Sequence, residues 1–218
     1  MKKVLLLLLL LTAARMRIAA QEQDNEDVQF WPDVTVGFKL TPAINLNLLG
    51  TIRPGRHLEG FVSEQLGTAV VFRVGKYLNI TPSYRHIWSQ PEATRHSQEN
   101  RYFIDFTPRV PLGKGFALLD RNRTEVRDIN DRISWRYRNR IQIEKVFNWH
   151  EHQLTPYLAE EFHFDSRHQE WNRRQFWVGT RVPLNKHFTL DLHYSRNSDE
   201  RAKPGYWHVI GVFSRLEF

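Results

Sequence analysis

The chain has 218 residues with 31 Lys and Arg, 24 Asp and Glu, and no Cys, and its formal net charge is +7. This length corresponds to one domain, and the lack of Cys excludes a disulfide framework and a lipid-anchored Cys. Four of the basic residues lie within the first 20, so the rest of the chain carries 27 basic and 24 acidic residues and a charge of only +3. The net charge therefore does not indicate nucleic-acid binding, and we expect the protein to bind no nucleic acid.

The first 20 residues have the pattern of a secretory signal peptide. Two Lys precede an apolar run over residues 4–11, and small residues follow up to Ala20. The run is too short to span a membrane as a helix. We predict Sec-type export with cleavage after Ala20; cleavage after Ala14 is the alternative, because two Arg interrupt the expected site. An acidic tail over residues 21–28 follows.

Apolar and polar residues alternate in short segments from residue 29 to residue 218. In the last segment Ile210, Val212 and Phe218 lie on one face of a strand, and Arg215 lies on the other. Behind an export signal, this pattern predicts an all-β fold, a single antiparallel transmembrane β-barrel in the bacterial outer membrane. Mean hydropathy is −0.54, and no later segment has about 18 consecutive apolar residues, which excludes membrane helices.

The alternation indicates eleven strands. They lie at residues 29–40, 44–53, 67–74, 77–89, 101–110, 116–127, 132–146, 153–164, 171–182, 187–196 and 206–218. An antiparallel barrel with both termini on one side needs an even number of strands. We therefore predict 10 to 12 strands: either the acidic segment adds one, or the first segment lies outside the wall.

Compact turns alternate with longer polar connections. The turns are at residues 40–43, 75–76, 111–115, 148–152 and 183–186, and the longer connections are at 54–66, 90–100, 165–170 and 197–205, with a short exception at 128–131. Outer-membrane barrels have short periplasmic turns and longer external loops. We therefore expect the last strand to end in the periplasm, where Phe218 acts as the C-terminal assembly signal. The expected partners are outer-membrane lipids and the barrel-assembly machinery.

A soluble lipocalin-type barrel is the rival fold, because alternation alone does not decide which face points inward. The terminal Phe218, the unequal connections and a strand number above eight favour the membrane barrel.

The densest charged pattern covers two adjacent strands. Arg121, Arg123, Glu125 and Arg127 form an R-x-R-x-E-x-R motif, and an R-Y-R-x-R motif follows. These motifs resemble those of an outer-membrane family called domain of unknown function 2490. The similarity extends to Trp31, to Glu161 and Phe162, to Trp171-Asn172-Arg173 and to Gly211. The resemblance implies a barrel in the outer membrane. It implies no mechanism, because the family's activity is unknown.

Strand parity places the Arg-rich motifs on the inner face of the barrel. We predict a lumen charge network there, formed by Arg121, Arg123, Glu125, Arg127, Arg136, Arg138, Arg140, Glu144 and Glu161. In a structural or interaction barrel these pairs brace the wall, because unpaired buried charges are costly. A barrel of eight strands has an interior filled by side chains, and one of 16 to 18 strands encloses an aqueous channel. The predicted 10 to 12 strands fall between these cases, so a narrow anion-preferring passive channel is one alternative.

Asp120 departs from the motif. Parity places it on the lipid face, which indicates a position above the membrane or beside a bulge.

An outer-membrane lipid hydrolase or acyltransferase is the other alternative. Asp191, His193 and Ser195 lie on one face of one strand, but their spacing of roughly 6.6 to 7 Å supplies no oxyanion donor. Ser83 and His86 differ in parity and make a weaker pair. We therefore predict no catalytic residue and consider an enzyme less expected than a structural barrel.

His150 and His152 are poor metal ligands, because they lie in a turn with no Cys and no compact carboxylate cluster nearby. We predict no metal or cofactor, and the sequence leaves any small-molecule ligand unknown.

Overall fold

The computed structural model describes residues 25–55, 57–58, 60–92, 95–150 and 152–218. The strands in these ranges are β1 (Glu26–Lys39), β2 (Ile44–Gly55), β3 (Gly60–Val74), β4 (Leu78–Glu92), β5 (Arg95–Gly113), β6 (Phe116–Ile129), β7 (Arg132–Lys145), β8 (Phe147–Trp149), β9 (His152–Asp165), β10 (Glu170–Pro183), β11 (Phe188–Asp199) and β12 (Tyr206–Glu217). The predicted signal peptide, residues 1–20, lies outside the described residues.

None of the described residues forms a helix that is long and apolar enough to cross a membrane.

Eleven of the described strands form one closed barrel. Chain neighbours pair antiparallel from β1 to β7, then β7 pairs with β9, and the pairing continues to β12. β8 extends β7 beyond Val146 and pairs with the start of β9. The barrel closes where β1 pairs in parallel with β12, with Glu26 opposite Tyr206 and Gly37 opposite Glu217. The predicted all-β barrel of 10 to 12 strands is confirmed.

The expectation of an even strand number was wrong, because β1 and β12 run in the same direction. β1 begins beside the start of β12, where Gly205 N donates to Asn25 Oδ1 at 2.6 Å and Tyr206 N donates to Asn25 O at 3.0 Å. Residues 26–28, the end of the predicted acidic tail, are part of this first strand.

The two ends of the barrel differ in the connections that they carry. The loop end carries the connections β2–β3, β4–β5, β6–β7, β9–β10 and β11–β12, and the turn end carries the others and the end of β12. At the loop end, β2 and β3 are interrupted only between Gly55 and Gly60, and β4 continues to Glu92. The predicted long connections 54–66 and 90–100 were therefore wrong. Polar residues such as Ser63 pair their backbone in hairpins as well as apolar ones do.

Burial alternates along the strands and defines an inward and an outward face. In β12, Trp207, Val209 and Gly211 are buried, whereas Ile210 is 57% exposed. The outward face is largely apolar, with exposed residues such as Leu48, Phe106, Ile133, Ile141, Leu158, Val178 and Leu192. The branched and aromatic side chains that favour strands thus also supply an apolar outer surface.

The inward face has two different halves. Trp31, Tyr157, Trp177 and Trp207 form an interior apolar cluster on β1, β9, β10 and β12. The Arg and Glu side chains of β5, β6 and β7 line the other part of the interior.

Candidate functional site

Two carboxylates with no exposed surface, Glu125 on β6 and Glu161 on β9, lie at the centre of the charged half. Glu125 accepts hydrogen bonds from Arg136 Nε at 2.7 Å and from Arg138 Nη1 at 3.1 Å. Arg138 also donates to Glu161. Because Arg138 contacts both carboxylates, it joins them in one network across β6, β7 and β9.

Two more Arg residues and one buried His reach these carboxylates from β6 and β9. Arg121 Nη2 donates to Glu161 Oε1 at 2.9 Å, and His163 Nε2 lies 3.3 Å from the same oxygen. Arg123 Nη1 lies 3.7 Å from Glu125. The structure therefore brings together five of the predicted Arg and Glu residues on β6 and β7 with Glu161.

The main partners of Arg123 and Arg127 lie on β5, and the sequence analysis missed them. Asp105 accepts two hydrogen bonds from Arg123, and Glu99 accepts two from Arg127, both at 2.8 Å. The alternation of Glu99, Arg101 and Asp105 along one strand is the signal that would have found them.

Two predicted members lie apart from this network. Glu144, near the turn end, accepts hydrogen bonds from Arg109, Arg181 and Gln142. Arg140 forms no ion pair with a described carboxylate; it donates to Gln142 Oε1 at 3.0 Å, and its Cζ lies 4.7 Å from the centre of the Trp177 ring.

Two cavities occupy the interior. One of about 600 Å³ reaches the loop end beside Arg167 and Lys203, and one of about 640 Å³ reaches the turn end beside Arg215. They share lining residues at mid-barrel, among them Arg85, Arg121, Arg123 and Arg140. The cavities therefore meet at a level rich in Arg.

Two further inward Arg residues were not predicted as site residues. Arg53 places its Cζ 3.9 Å above the Trp31 ring, and Arg85 Nη1 donates to Gln65 Oε1 at 2.9 Å. Within the described part of the chain, neither forms an ion pair. Isolated Arg residues on otherwise polar strand faces give no motif, which is why the sequence alone did not single them out.

Ion pairs also connect the strand ends around the loop-end mouth. Arg173 pairs with Asp199, and Arg167 Nη2 lies 2.7 Å from Asp165 Oδ2. Hydrogen bonding to Asp165 raises the pKa of the Arg167 guanidinium above its ordinary value.

The trio Asp191, His193 and Ser195 points into the barrel but does not form a catalytic arrangement. His193 Nδ1 lies 3.7 Å from Asp191 Oδ1, which accepts a hydrogen bond from Tyr157 OH at 2.7 Å. Ser195 Oγ accepts from Asn197 Nδ2 at 3.0 Å, and both ring nitrogens of His193 are buried without a hydrogen-bond partner. Hydrolysis requires a nucleophile hydrogen-bonded to its base, and this geometry lacks that contact.

Packing explains the buried position of the His193 side chain. Its ring lies between Trp177 and Phe213, at centroid distances of 4.8 and 4.3 Å. The residues opposite it on the neighbouring strands are Gly179 and Gly211, and a Cβ on Gly211 would lie 2.0 Å from the ring. The two glycines therefore make the space that the imidazole fills.

Asp120 lies on the outward face, as parity indicated, but the expectation of a bulge was wrong. It lies in a regular part of the β6–β7 pairing, opposite Ile141. Its carboxylate accepts hydrogen bonds from Asn139 Nδ2 at 2.6 Å and Asn122 Nδ2 at 3.1 Å, and Tyr137 OH donates to Asn122 Oδ1. These amides supply the acidic side chain with partners on an otherwise apolar surface.

Phe218 lies at the seam of the barrel. Its N donates to Gly37 O at 2.9 Å, and its O accepts from Lys39 N at 2.8 Å, which extends the parallel pairing by one residue. Its ring stacks on Phe38 with a centroid distance of 6.2 Å.

No group of three or more potential His, Asp or Glu metal ligands occurs among the residues that the structure describes.

A family model described as "Protein of unknown function (DUF2490)" matches residues 28–208, which is most of the chain. No curated protein matches the sequence.

Proposed function

Because the chain belongs to the DUF2490 family, whose description names no activity, we propose a function from the barrel itself. The protein is an outer-membrane β-barrel with a structural or interaction role, and buried ion pairs brace its wall from inside. It acts on no substrate in this proposal.

The outward face supports the placement in a membrane. Apolar side chains such as Ile133, 81% exposed, and Leu66, 59% exposed, cover most of the outer wall, and soluble monomers rarely expose contiguous apolar surfaces of that extent. The signal-like N-terminus and the terminal Phe218 agree with export and insertion into an outer membrane.

One observation carries the bracing role: Glu125 and Glu161 have no exposed surface, and Arg138 contacts both. Since the three residues lie on three neighbouring strands of the wall, these contacts resist separation of those strands. Removing one partner of a buried pair typically costs about 3 to 5 kcal/mol, because the remaining charge stays buried without compensation.

Density-gradient fractionation combined with gel electrophoresis of heated and unheated samples tests the proposal. The protein is expected to co-sediment with outer membranes and to migrate faster before heating. Recovery as a soluble periplasmic protein would end the membrane part of the proposal.

A narrow anion-preferring passive channel is the second candidate. The observation in its favour is that the two cavities share Arg85, Arg121, Arg123 and Arg140, so an anion that crosses the barrel passes several guanidinium groups. Conductance in planar bilayers separates the two functions, because a closed structural barrel carries no current. The lipid-enzyme alternative has no comparable support, since Ser195 and His193 lie buried inside the barrel.

A further inference from the structure

The loop-end cavity is unusually rich in cations. Twelve Arg and Lys residues line it, against four Asp and Glu residues. Several of these Arg residues are neutralised by carboxylates, as described above for Arg123, Arg127 and Arg138. Arg53, Arg85 and Arg140 are the exceptions, because none of them forms an ion pair with a described carboxylate.

Two of the three unpaired Arg residues are held by a pair of touching indoles. Arg53 lies over Trp31 at 3.9 Å, and Arg140 lies over Trp177 at 4.7 Å. The two Trp rings contact each other edge to face, with centroids 6.1 Å apart. Stacking on an indole fixes the plane of a guanidinium and leaves its N–H edge available for hydrogen bonding.

The Nε atoms of Arg53 and Arg140 are buried and have no hydrogen-bond partner. Each of these two guanidinium groups therefore has a buried N–H that can donate to a ligand in the cavity, and buried donors in folded proteins nearly always have a partner. Arg85 lines the same cavity and is held by Gln65, a neutral side chain.

Among the four acidic residues that line the cavity, Asp33 interacts electrostatically with Arg53 and Arg85. Asp33 lines the cavity, makes no ion pair with a described cation, and has an Oδ1 that is buried without a hydrogen-bond partner. A single carboxylate offsets only part of the charge of three guanidinium groups, and the cavity keeps a positive excess at this point.

We propose that the loop-end cavity is a binding site for a phosphate-type oxyanion, held by Arg53, Arg85 and Arg140. Guanidinium groups pair with phosphate through two parallel N–H···O bonds, which a spherical halide does not accept. A volume of about 600 Å³ lies within the range of small-molecule sites, so the phosphate group has room for an organic substituent. The site requires only the closed barrel and depends neither on the bracing role nor on conduction.

Isothermal titration calorimetry on the full barrel, folded in detergent, tests this site with three probes. Inorganic phosphate and glycerol phosphate represent a soluble ligand, and micelles that contain phosphatidate represent a lipid headgroup. Binding of either soluble probe assigns the site to a ligand from the medium, and binding of phosphatidate alone assigns it to a lipid. Absence of binding by all three to a barrel that shows normal heat-modifiability overturns the inference and leaves the proposed function intact.

Variants test whether Arg53, Arg85 and Arg140 are responsible for any binding that is measured. The double substitution Arg53→Gln with Arg140→Gln is expected to weaken binding by about tenfold or more, as for the loss of hydrogen bonds to a charged group. Arg196→Gln is the matched control, because Arg196 is exposed on the outward face and likewise forms no ion pair with a described carboxylate. An equal loss of affinity in the control would overturn the site, since it would indicate binding to overall charge.

A conservative variant covers the case in which the double variant does not fold. Arg53→Lys keeps the charge over Trp31 but loses the planar fork, so it is expected to fold and to bind phosphate several-fold more weakly than the unaltered protein. Unchanged affinity in this variant would contradict the role given to Arg53.

Discussion

Arg123 and Asp105 form a two-point ion pair between β6 and β5. Arg123 Nε lies 2.6 Å from Oδ1, Nη2 lies 2.7 Å from Oδ2, and the two residues are directly opposite each other in the strand pairing. Each side chain is 11% exposed. Two parallel hydrogen bonds fix the guanidinium in place, so this inward Arg is held to the wall.

The first prediction concerns that pair. Arg123→Ala is expected to lower the free energy of unfolding by about 3 to 5 kcal/mol where the interior is dry, and by about 1 kcal/mol where water from the adjacent cavities screens the charge left on Asp105. Urea unfolding in detergent micelles, or the temperature at which the compact gel band disappears, measures the loss.

The same variant separates bracing from conduction. A clear change of reversal potential in a salt gradient with no loss of thermal stability would favour the anion channel over bracing. Arg174→Ala is a suitable control, because this Arg lies on the outward face with its side chain 62% exposed.

The second prediction compares a buried carboxylate with an exposed one. Glu161→Gln keeps the size of the side chain but removes the charge that Arg121 and Arg138 share. We expect it to lower the free energy of unfolding by about 3 kcal/mol, since Arg121 loses its ion-pair partner and Arg138 keeps only Glu125. Glu170→Gln, whose carboxylate pairs with Arg201 at the exposed mouth, is expected to have no measurable effect. Equal effects of the two substitutions in urea unfolding would argue against a buried network.

The strands and their faces were predictable because they depend on local alternation. The predicted strand 116–127 and the observed Phe116–Ile129 differ at one end only, and strand parity alone places Glu125 and Arg138 on the inward face. Hairpin lengths at the loop end were not predictable from polarity, because polar residues pair their backbone as well as apolar ones do.

Contacts between strands that are distant in the chain could not be predicted from the sequence. The parallel seam depends on how β1 meets β12, which are separated by almost the whole chain. The contact between Trp31 and Trp177 likewise depends on closure of the barrel. No local pattern encodes either one, and the unpaired Arg53 and Arg140 were therefore not recognisable as a group.

The third prediction concerns the space beside His193. Gly211→Ala is expected to lower the free energy of unfolding by about 1 to 3 kcal/mol, because the added methyl group meets an imidazole that Trp177 and Phe213 hold in place. Gly50→Ala is the control, since a Cβ there meets only a Leu66 methyl group at 3.6 Å.

A double-mutant cycle checks the cause. When His193→Ala is combined with Gly211→Ala, the total loss in urea unfolding should be smaller than the sum of the two single losses. Strict additivity would show that the imidazole is not what the new methyl group meets.

The fourth prediction concerns the seam. Deletion of Phe218 removes two backbone hydrogen bonds to β1 and the ring that stacks on Phe38, so the amount of assembled barrel in cells is expected to fall. Phe218→Ala keeps the backbone bonds and removes only the ring. A defect shared by both variants assigns the effect to the aromatic signal, and a defect of the deletion alone assigns it to the backbone pairing. Normal levels of assembled deletion variant would contradict a role for Phe218.

The last prediction follows from the odd number of strands. Because β1 runs parallel to β12, the residue before β1 lies at the loop end, where Asn25 binds Gly205 and Tyr206, while Phe218 lies at the turn end. In the proposed outer-membrane placement, the turn end faces the periplasm and the loop end faces the medium. An epitope tag inserted directly before Asn25 should therefore bind antibody on intact cells, and a tag inserted in the turn after Gly75, between β3 and β4, should bind only after the outer membrane is opened. Heat-modifiability of both tagged proteins serves as the control for folding. If both tags were reached from the same side, β1 and β12 would have to run in opposite directions, and the parallel seam of the eleven-stranded barrel would be wrong.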